Sequence, residues 1–152
     1  MTSGIIIAIA VFLTACSGGV FKPDDWYNRL SKPSWTPPGW AFPVVWTVLY
    51  LMIGYSGWVV WQAEGLQLAF GLWIAQLVLN AAWSYFFFGR KRMDQAMVDV
   101  SGMWLLIVAY IFAAWPVSQT AALLFVPYLV WVTIAAALNW RVWKMNPDAT
   151  PV

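Results

Sequence analysis

Residues 100–140 read VSGMWLLIVAYIFAAWPVSQTAALLFVPYLVWVTIAAALNW, and this stretch carries no charged side chain. A helix that crosses the hydrocarbon core of a membrane needs about 20 apolar residues, so the stretch is too long for a single span. Near its middle lies Pro116-Val117-Ser118-Gln119-Thr120, in which proline and small polar side chains favour a turn. The stretch therefore predicts two membrane-spanning helices joined by a short loop.

Three further neutral stretches precede it along the chain. They are residues 1–21, 33–63 and 65–89. Each has the length of one spanning helix. We therefore predict an all-α membrane bundle, a single domain over residues 1–152, with helices near 4–21, 41–62, 66–88, 95–115 and 119–142.

The first predicted helix contains Leu13-Thr14-Ala15-Cys16, which resembles the cleavage box of a lipoprotein. The residues before it lack the basic region that a signal peptide needs. We therefore expect residues 4–21 to be retained as a spanning helix.

The charged residues are few and are distributed unevenly. Charged residues make up 9% of the chain, whereas they make up about 25% of a typical soluble domain. Hydrophobic residues make up 62% of the chain, compared with about 45 to 50% of a soluble domain. With five spans, all eight basic residues fall in segments on one side of the membrane; they are Lys22, Arg29, Lys32, Arg90, Lys91, Arg92, Arg141 and Lys144. The positive-inside rule then predicts an N-terminus outside and a cytoplasmic C-terminus, as in a bacterial inner membrane.

Several classes of function are disfavoured by composition. The chain has no histidine and a single cysteine, which removes the commonest general base and the usual metal and haem ligands. We expect no metal site and no required cofactor. Nucleic acid is not expected as a partner, because the basic residues form no continuous face.

The helix predicted at 66–88 carries polar and aromatic residues at spacings of three and four, which places them on one face. These residues are Trp73, Gln76, Asn80, Trp83, Ser84 and Phe87. An amide inside a membrane needs a hydrogen-bond partner. Asn80 either bonds a neighbouring helix, at about 0.6 to 2 kcal/mol, or contacts a ligand.

A similar face recurs on the helix predicted at 119–142. Its members are Pro127, Tyr128, Trp131, Ala135 and Leu138. In the predicted topology Asn80, Tyr128 and Trp131 lie at about the depth of Trp46. We therefore predict a pocket for a flat hydrophobic ligand in the cytoplasmic half of the bundle.

Two polar features flank this pocket. The loop 22–40 is rich in proline and aromatic residues and is predicted to act as a lid, or alternatively to place its aromatics among lipid headgroups. Asp99, at the start of the fourth spanning helix, is predicted to pair with the basic cluster at residues 90–92, or alternatively to relay protons.

Several ordered motifs of this chain match a known family. They are Trp26-Tyr27, Lys32-Pro33-Ser34-Trp35-Thr36-Pro37-Pro38, Trp46-Thr47-Val48-Leu49-Tyr50, Asn80-Ala81-Ala82-Trp83-Ser84, Phe87-Phe88-Gly89, Val126-Pro127-Tyr128-Leu129-Val130-Trp131 and Leu138-Asn139-Trp140. The chain thereby resembles the translocator protein or tryptophan-rich sensory protein family (TspO/MBR), once called the peripheral-type benzodiazepine receptor.

The resemblance implies a five-helix bundle, commonly a homodimer, that binds protoporphyrin IX, haem-like tetrapyrroles and related flat ligands under the first loop. The positions that match the family's ligand pocket are Trp26, Pro38, Trp46, Asn80, Trp83, Ser84, Trp131 and Ala135. Tyr128 joins this set from the helical spacing. The family's sterol pattern has a tyrosine where this chain has Trp140, which argues against sterol binding.

Sequence and resemblance together favour a membrane receptor or sensor for porphyrins that regulates tetrapyrrole handling. One alternative, implied by the resemblance, is a light- and oxygen-dependent enzyme that degrades porphyrin through Trp46 and Trp131. The other is a small tetrapyrrole transporter, although the sequence shows none of the paired halves that transporters commonly have.

Overall fold

The computed structural model describes residues 2–149 and contains no β-strand within them. Five of its helices are long and apolar enough to cross a membrane, which confirms the predicted all-α architecture. The helices are α1 (Thr2–Val20), the short α2 (Asp25–Arg29), α3 (Ala41–Glu64), α4 (Leu68–Ser84), α5 (Met93–Ala114) and α6 (Gln119–Met145).

The helix ends follow local sequence signals. Gly65 adopts a φ of 68° at the end of α3, and its N–H donates to the carbonyl of Trp61 at 2.9 Å. This left-handed conformation is one that glycine adopts without a steric penalty. The hydroxyl of Ser118 accepts from the N–H of Ala121 at 3.2 Å and caps α6. The turn predicted after Pro116 is therefore present.

The five long helices close into a ring. Each packs mainly against two others, and the spatial order is α1, α3, α6, α5, α4 and back to α1. Three contacts in the ring join consecutive spanning helices, and the other two, α3 with α6 and α1 with α4, join helices that are not consecutive. The interior is filled by apolar side chains such as Ile53, Val60, Ile107 and Phe125, all fully buried.

Contacts between loops bring three basic segments to one end of the bundle. Lys91 forms an ion pair with Asp24 at 3.2 Å, and Asn146 exchanges two hydrogen bonds of 2.8 Å with the backbone of Ser31. Residues 22–40, residues 90–92 and the end of α6 therefore meet at what we term the basic end. Which side of the membrane this end faces stays a prediction.

One departure from the sequence prediction lies at the end of α4. The α-helix stops at Ser84, and Tyr85–Gly89 form a single π-helical turn in which the N–H of Arg90 donates to the carbonyl of Tyr85 at 2.8 Å. A π turn rotates the residues that follow it relative to an uninterrupted α-helix. Phe87 is thereby buried under the first loop.

Candidate functional site

A chain of hydrogen bonds crosses the interior between α3, α4 and α6. The hydroxyl of Tyr50 donates to Oδ1 of Asn80 at 2.8 Å, and Nδ2 of Asn80 donates to the hydroxyl of Tyr128 at 2.7 Å. Tyr128 in turn donates to Oε1 of Gln76 at 2.8 Å. We term these four residues the Tyr128 network. They confirm that Asn80 bonds neighbouring helices, as one interpretation of the sequence predicted.

The Tyr128 network is continued by backbone contacts that hold α4 against α3. Nε2 of Gln76 donates to the carbonyl of Trp73, and Nε1 of Trp73 donates to the carbonyl of Ile53, each at 2.9 Å. Tyr128 and Gln76 are fully buried. Because buried polar groups are costly unless they are satisfied, this network fixes the relative positions of the three helices.

Aromatic side chains line the basic-end side of this network. Trp46 stacks on Tyr50 with ring centroids 5.4 Å apart, and it meets Tyr128 edge-on at 6.3 Å. Trp131 on α6 meets Phe42 on α3 edge-on at 5.6 Å. The structure thus brings Trp46, Asn80, Tyr128 and Trp131 into one region of the bundle.

Trp131 has one unusual property. Its indole Nε1 is buried and has no hydrogen-bond partner among residues 2–149. An indole N–H that is buried normally finds an acceptor, because leaving it unpaired costs free energy. The aromatic lining therefore contains one unused hydrogen-bond donor.

Trp83 and Trp26 belong to a neighbouring group of aromatic residues at the basic end. Trp83 stacks on Phe87 at 5.2 Å and donates from Nε1 to Oδ1 of Asn139 at 3.1 Å. Trp26 meets Phe87 edge-on at 6.1 Å and donates to the carbonyl of Ala149 at 3.2 Å. Both indole N–H groups already have acceptors.

The remaining predicted site residues are placed differently. Ser84 is buried and faces α1, where its hydroxyl lies 3.9 Å from the position that a Cβ on Gly18 would take. Pro38 is exposed and Ala135 is half-buried. The structure does not bring Ser84 or Pro38 to the aromatic lining, and their role in binding stays a prediction.

Three residues of the hydrogen-bond network and the aromatic groups were not predicted as site residues from the sequence. They are Phe42, Tyr50 and Asn139. A usable signal existed for two of them. Tyr50 lies one helical turn after Trp46, and Asn139 is an amide within a neutral stretch, where a polar side chain needs a partner. Phe42 carried no such signal, since phenylalanine is common in any membrane helix.

The first half of the loop 22–40 is anchored to the basic end. Tyr27 meets Phe88 edge-on at 5.4 Å, and Leu30 is buried. The backbone N–H of Tyr27 donates to Asp24, and this bond, together with Lys91, lowers the pKa of the Asp24 carboxyl. Burial raises the pKa of Tyr27.

The second half of the loop is less enclosed. Trp35 and Trp40 are 50% and 71% exposed. A turn closed by the N–H of Thr36 on the carbonyl of Pro33, at 3.1 Å, keeps this half compact. The lid interpretation therefore suits the first half of the loop, and the headgroup interpretation suits the second half. Residues 22–31 cover the bundle end, and the exposed tryptophans suit a headgroup layer.

The predicted pairing of Asp99 with the basic cluster is wrong. Arg92 pairs with Asp94 at 2.6 Å and Lys91 pairs with Asp24, so nearer acids neutralise two of the three cations. Asp99 is 7% exposed, and its Oδ2 is buried without a partner in the described part of the chain.

Comparison with known proteins gives a consistent family. The model of the TspO/MBR family matches residues 5–144. A tryptophan-rich sensory protein of Cereibacter sphaeroides is 42% identical over 89% of this chain and 89% of its own length. Protein CrtK of Rhodobacter capsulatus is 38% identical over 94% and 95%, and the translocator protein of Sus scrofa is 40% identical over 82% and 77%.

Proposed function

Because this chain belongs to the TspO/MBR family and forms a bundle of five spanning helices, we propose that it is a membrane sensor for porphyrins. Protoporphyrin IX, or a flat hydrophobic ligand of similar chemistry, binds between α3 and α6 at the basic end. Trp46 and Trp131 contact its ring. The ligand signals the state of tetrapyrrole handling.

The observation that carries this proposal is the unpaired N–H of Trp131 in an aromatic lining. A ligand in contact with Trp46 and Phe42 buries aromatic surface, which is favourable and suits a flat ring. An oxygen acceptor on that ligand, such as a porphyrin carboxylate, satisfies Nε1 of Trp131. Packing and hydrogen bonding then favour the same position of the ligand.

Charge at the basic end supports the same class of ligand. A porphyrin that carries carboxylates is an anion with a large apolar face. Arg29 and Lys32 lie in the loop 22–40, where they attract such an anion from the membrane surface. With no histidine in the chain, an iron-free ring is favoured over ligated haem.

The test is a titration of the purified protein in detergent with protoporphyrin IX, followed by quenching of tryptophan fluorescence. The Trp131→Phe variant keeps an aromatic ring, although a smaller one, and removes the N–H. We expect saturable quenching, with affinity lower by about threefold to tenfold in Trp131→Phe, because one hydrogen bond contributes about 0.5 to 1.5 kcal/mol.

Two further variants sharpen this experiment. Trp115→Phe makes the same change at a tryptophan that is 47% exposed at the end of α5, and it should bind like the wild type. Asn80→Ala removes the support of Tyr50 and Tyr128 and should also weaken binding. Quenching that never saturates, or that is equal in all four proteins, would contradict the proposed site.

A further inference from the structure

A groove lies between the α4–π segment and α5, away from the aromatic side chains of the proposed porphyrin site. It has a volume of about 540 Å³. Its walls are apolar at Leu79, Phe86 and Val98, and polar at Arg90, Gln95 and Asp99. Val98 is 76% exposed on the outer surface of the ring, so the groove opens toward the membrane and not toward the bundle interior.

Two polar atoms in this groove lack partners. Oδ2 of Asp99 and Oε1 of Gln95 are both buried and form no hydrogen bond with any residue from 2 to 149. The amide oxygen of Gln95 is an acceptor, and so is the oxygen of Asp99 when its carboxyl group is ionised. A group that satisfies them must therefore carry N–H or O–H donors.

The two acceptors lie on the same face of α5, because their positions differ by four residues. Side chains of a helix lean toward its N-terminus. The carboxyl group of Asp99 is thereby directed toward Gln95 and the basic end. Both residues line the groove on the side of α5 that begins at the basic end.

A free cation stands at the mouth of the groove. Arg90 is exposed and has no ion pair in the part of the chain that the structure describes, whereas Lys91 and Arg92 are paired with Asp24 and Asp94. The groove therefore offers a guanidinium outside and two acceptors further in. A zwitterion with an anionic and a donor-bearing cationic group complements this arrangement.

We propose that this groove binds a phospholipid with a primary-amine headgroup, phosphatidylethanolamine. Its ammonium donates to Gln95 and Asp99, and its phosphate pairs with Arg90. Its acyl chains lie along Leu79 and Val98. Phosphatidylcholine carries the same charges, but its quaternary nitrogen has no N–H and cannot satisfy the two acceptors. This lipid site is independent of the proposed porphyrin site.

Native mass spectrometry of the detergent-purified protein tests this proposal. Lipids with identical acyl chains are compared while the ethanolamine nitrogen is methylated step by step until it becomes choline. We expect one lipid per chain to be retained, with affinity falling at each methylation and about tenfold or more in total. Equal retention of the first and last member of the series would refute the site.

Variants locate the binding. Gln95→Leu and Asp99→Asn should each reduce the preference for the primary amine. Asp25→Asn, an exposed carboxyl on α2, should leave it unchanged. If Asp99→Asn fails to fold, Gln95→Leu alone decides, since its midpoint of thermal unfolding in detergent reports an intact bundle. An unchanged preference in Gln95→Leu overturns the assignment.

Two competing occupants are distinguished by the same spectra. A phosphatidylglycerol with the same chains offers hydroxyl donors but no cation, and retention equal to that of the ethanolamine lipid would contradict recognition of the ammonium. If Gln95→Leu abolishes a dimer peak and not a lipid adduct, the groove binds a second copy of this chain and the proposal fails.

Discussion

The hydroxyl of Tyr128 accepts a hydrogen bond from the side-chain amide of Asn80 at 2.7 Å, and this contact joins α6 to α4 in the interior of the bundle. The same hydroxyl donates to Gln76 at 2.8 Å. One oxygen atom therefore satisfies two amide side chains that have no access to water. The Tyr128 network depends on it.

We expect Tyr128→Phe to destabilise the protein by about 1 to 3 kcal/mol, because the change leaves Nδ2 of Asn80 and Oε1 of Gln76 without partners. The measurement is the midpoint of thermal or denaturant-induced unfolding in detergent. Tyr55→Phe removes a hydroxyl from a tyrosine that is 52% exposed on α3 and should have no effect. Equal stability of the two variants would mean that the network contributes little.

Gly57 permits the close approach of α3 and α4. A Cβ at this position would overlap the ring of Trp73, which is held by its bond to the carbonyl of Ile53. Gly57→Ala should therefore cost about 1 to 3 kcal/mol through overpacking. Gly71→Ala is the matched control, since nothing lies within 4 Å of the added Cβ. Thermal unfolding of both variants checks the prediction, and a neutral Gly57→Ala would contradict it.

The contact between Asn146 and Ser31 should hold the first half of the loop 22–40 in place. Asn146→Ala removes two hydrogen bonds of 2.8 Å to the Ser31 backbone. Hydrogen exchange of the Ser31 amide should then become faster by about threefold to tenfold. Asn28→Ala, an exposed amide on α2, serves as the control. Unchanged exchange would show that Leu30 and Tyr27 anchor the loop without Asn146.

Acid should loosen the start of this loop. The folded protein lowers the pKa of Asp24 from 3.8, first through the N–H of Tyr27 and also through Lys91. A lowered pKa in the folded state stabilises the docked loop above pH 3.8, and this contribution is lost as the pH falls through the lower value.

The check is the protection of the Tyr27 amide against hydrogen exchange, corrected for the intrinsic effect of pH. Protection should decrease in acid in the wild type. Asp24→Asn keeps a capping oxygen but has no charge, so its protection should not vary with pH. A wild-type protein with constant protection would contradict the role of the Asp24 charge.

The features that were predictable from the sequence follow from the hydrophobicity of its segments and from the 3.6-residue period of the α-helix. Continuous apolar runs fix the number of spans, and the embedded amide of Asn80 had to find a partner, so both were predictable. Helical spacing put Tyr128 and Trp131 on one face, and the predicted topology put Trp46 at their depth; in the structure Trp46 lies 6.3 Å from Tyr128 between ring centroids. These inferences use only contacts within a helix or the cost of a polar group in lipid.

Other features depend on local distortions and long-range contacts that helical periodicity does not predict. The π turn after Ser84 changes the direction of Phe87, which a face extrapolated from an α-helix does not predict. Ser84 precedes this turn and faces Gly18 of α1, a neighbour that helical spacing alone does not identify. The bond between Ser31 and Asn146 joins residues 115 positions apart, and many exposed amides could have made it. Asp99 was assigned to a cluster in which two of the three cations, Lys91 and Arg92, pair with nearer acids.

The order of helices in the ring bears on how the protein is made. α6 leaves the ribosome after the other four spanning helices, yet it lies between α3 and α5. Until α6 inserts, Tyr50 and Asn80 lack Tyr128, which completes their hydrogen-bond network. The nascent bundle therefore stays open between α3 and α5 until α6 has been synthesised and inserted. A chain truncated before α6 should keep its other four spans in the bilayer but leave the side-chain amide of Asn80 without the hydroxyl of Tyr128.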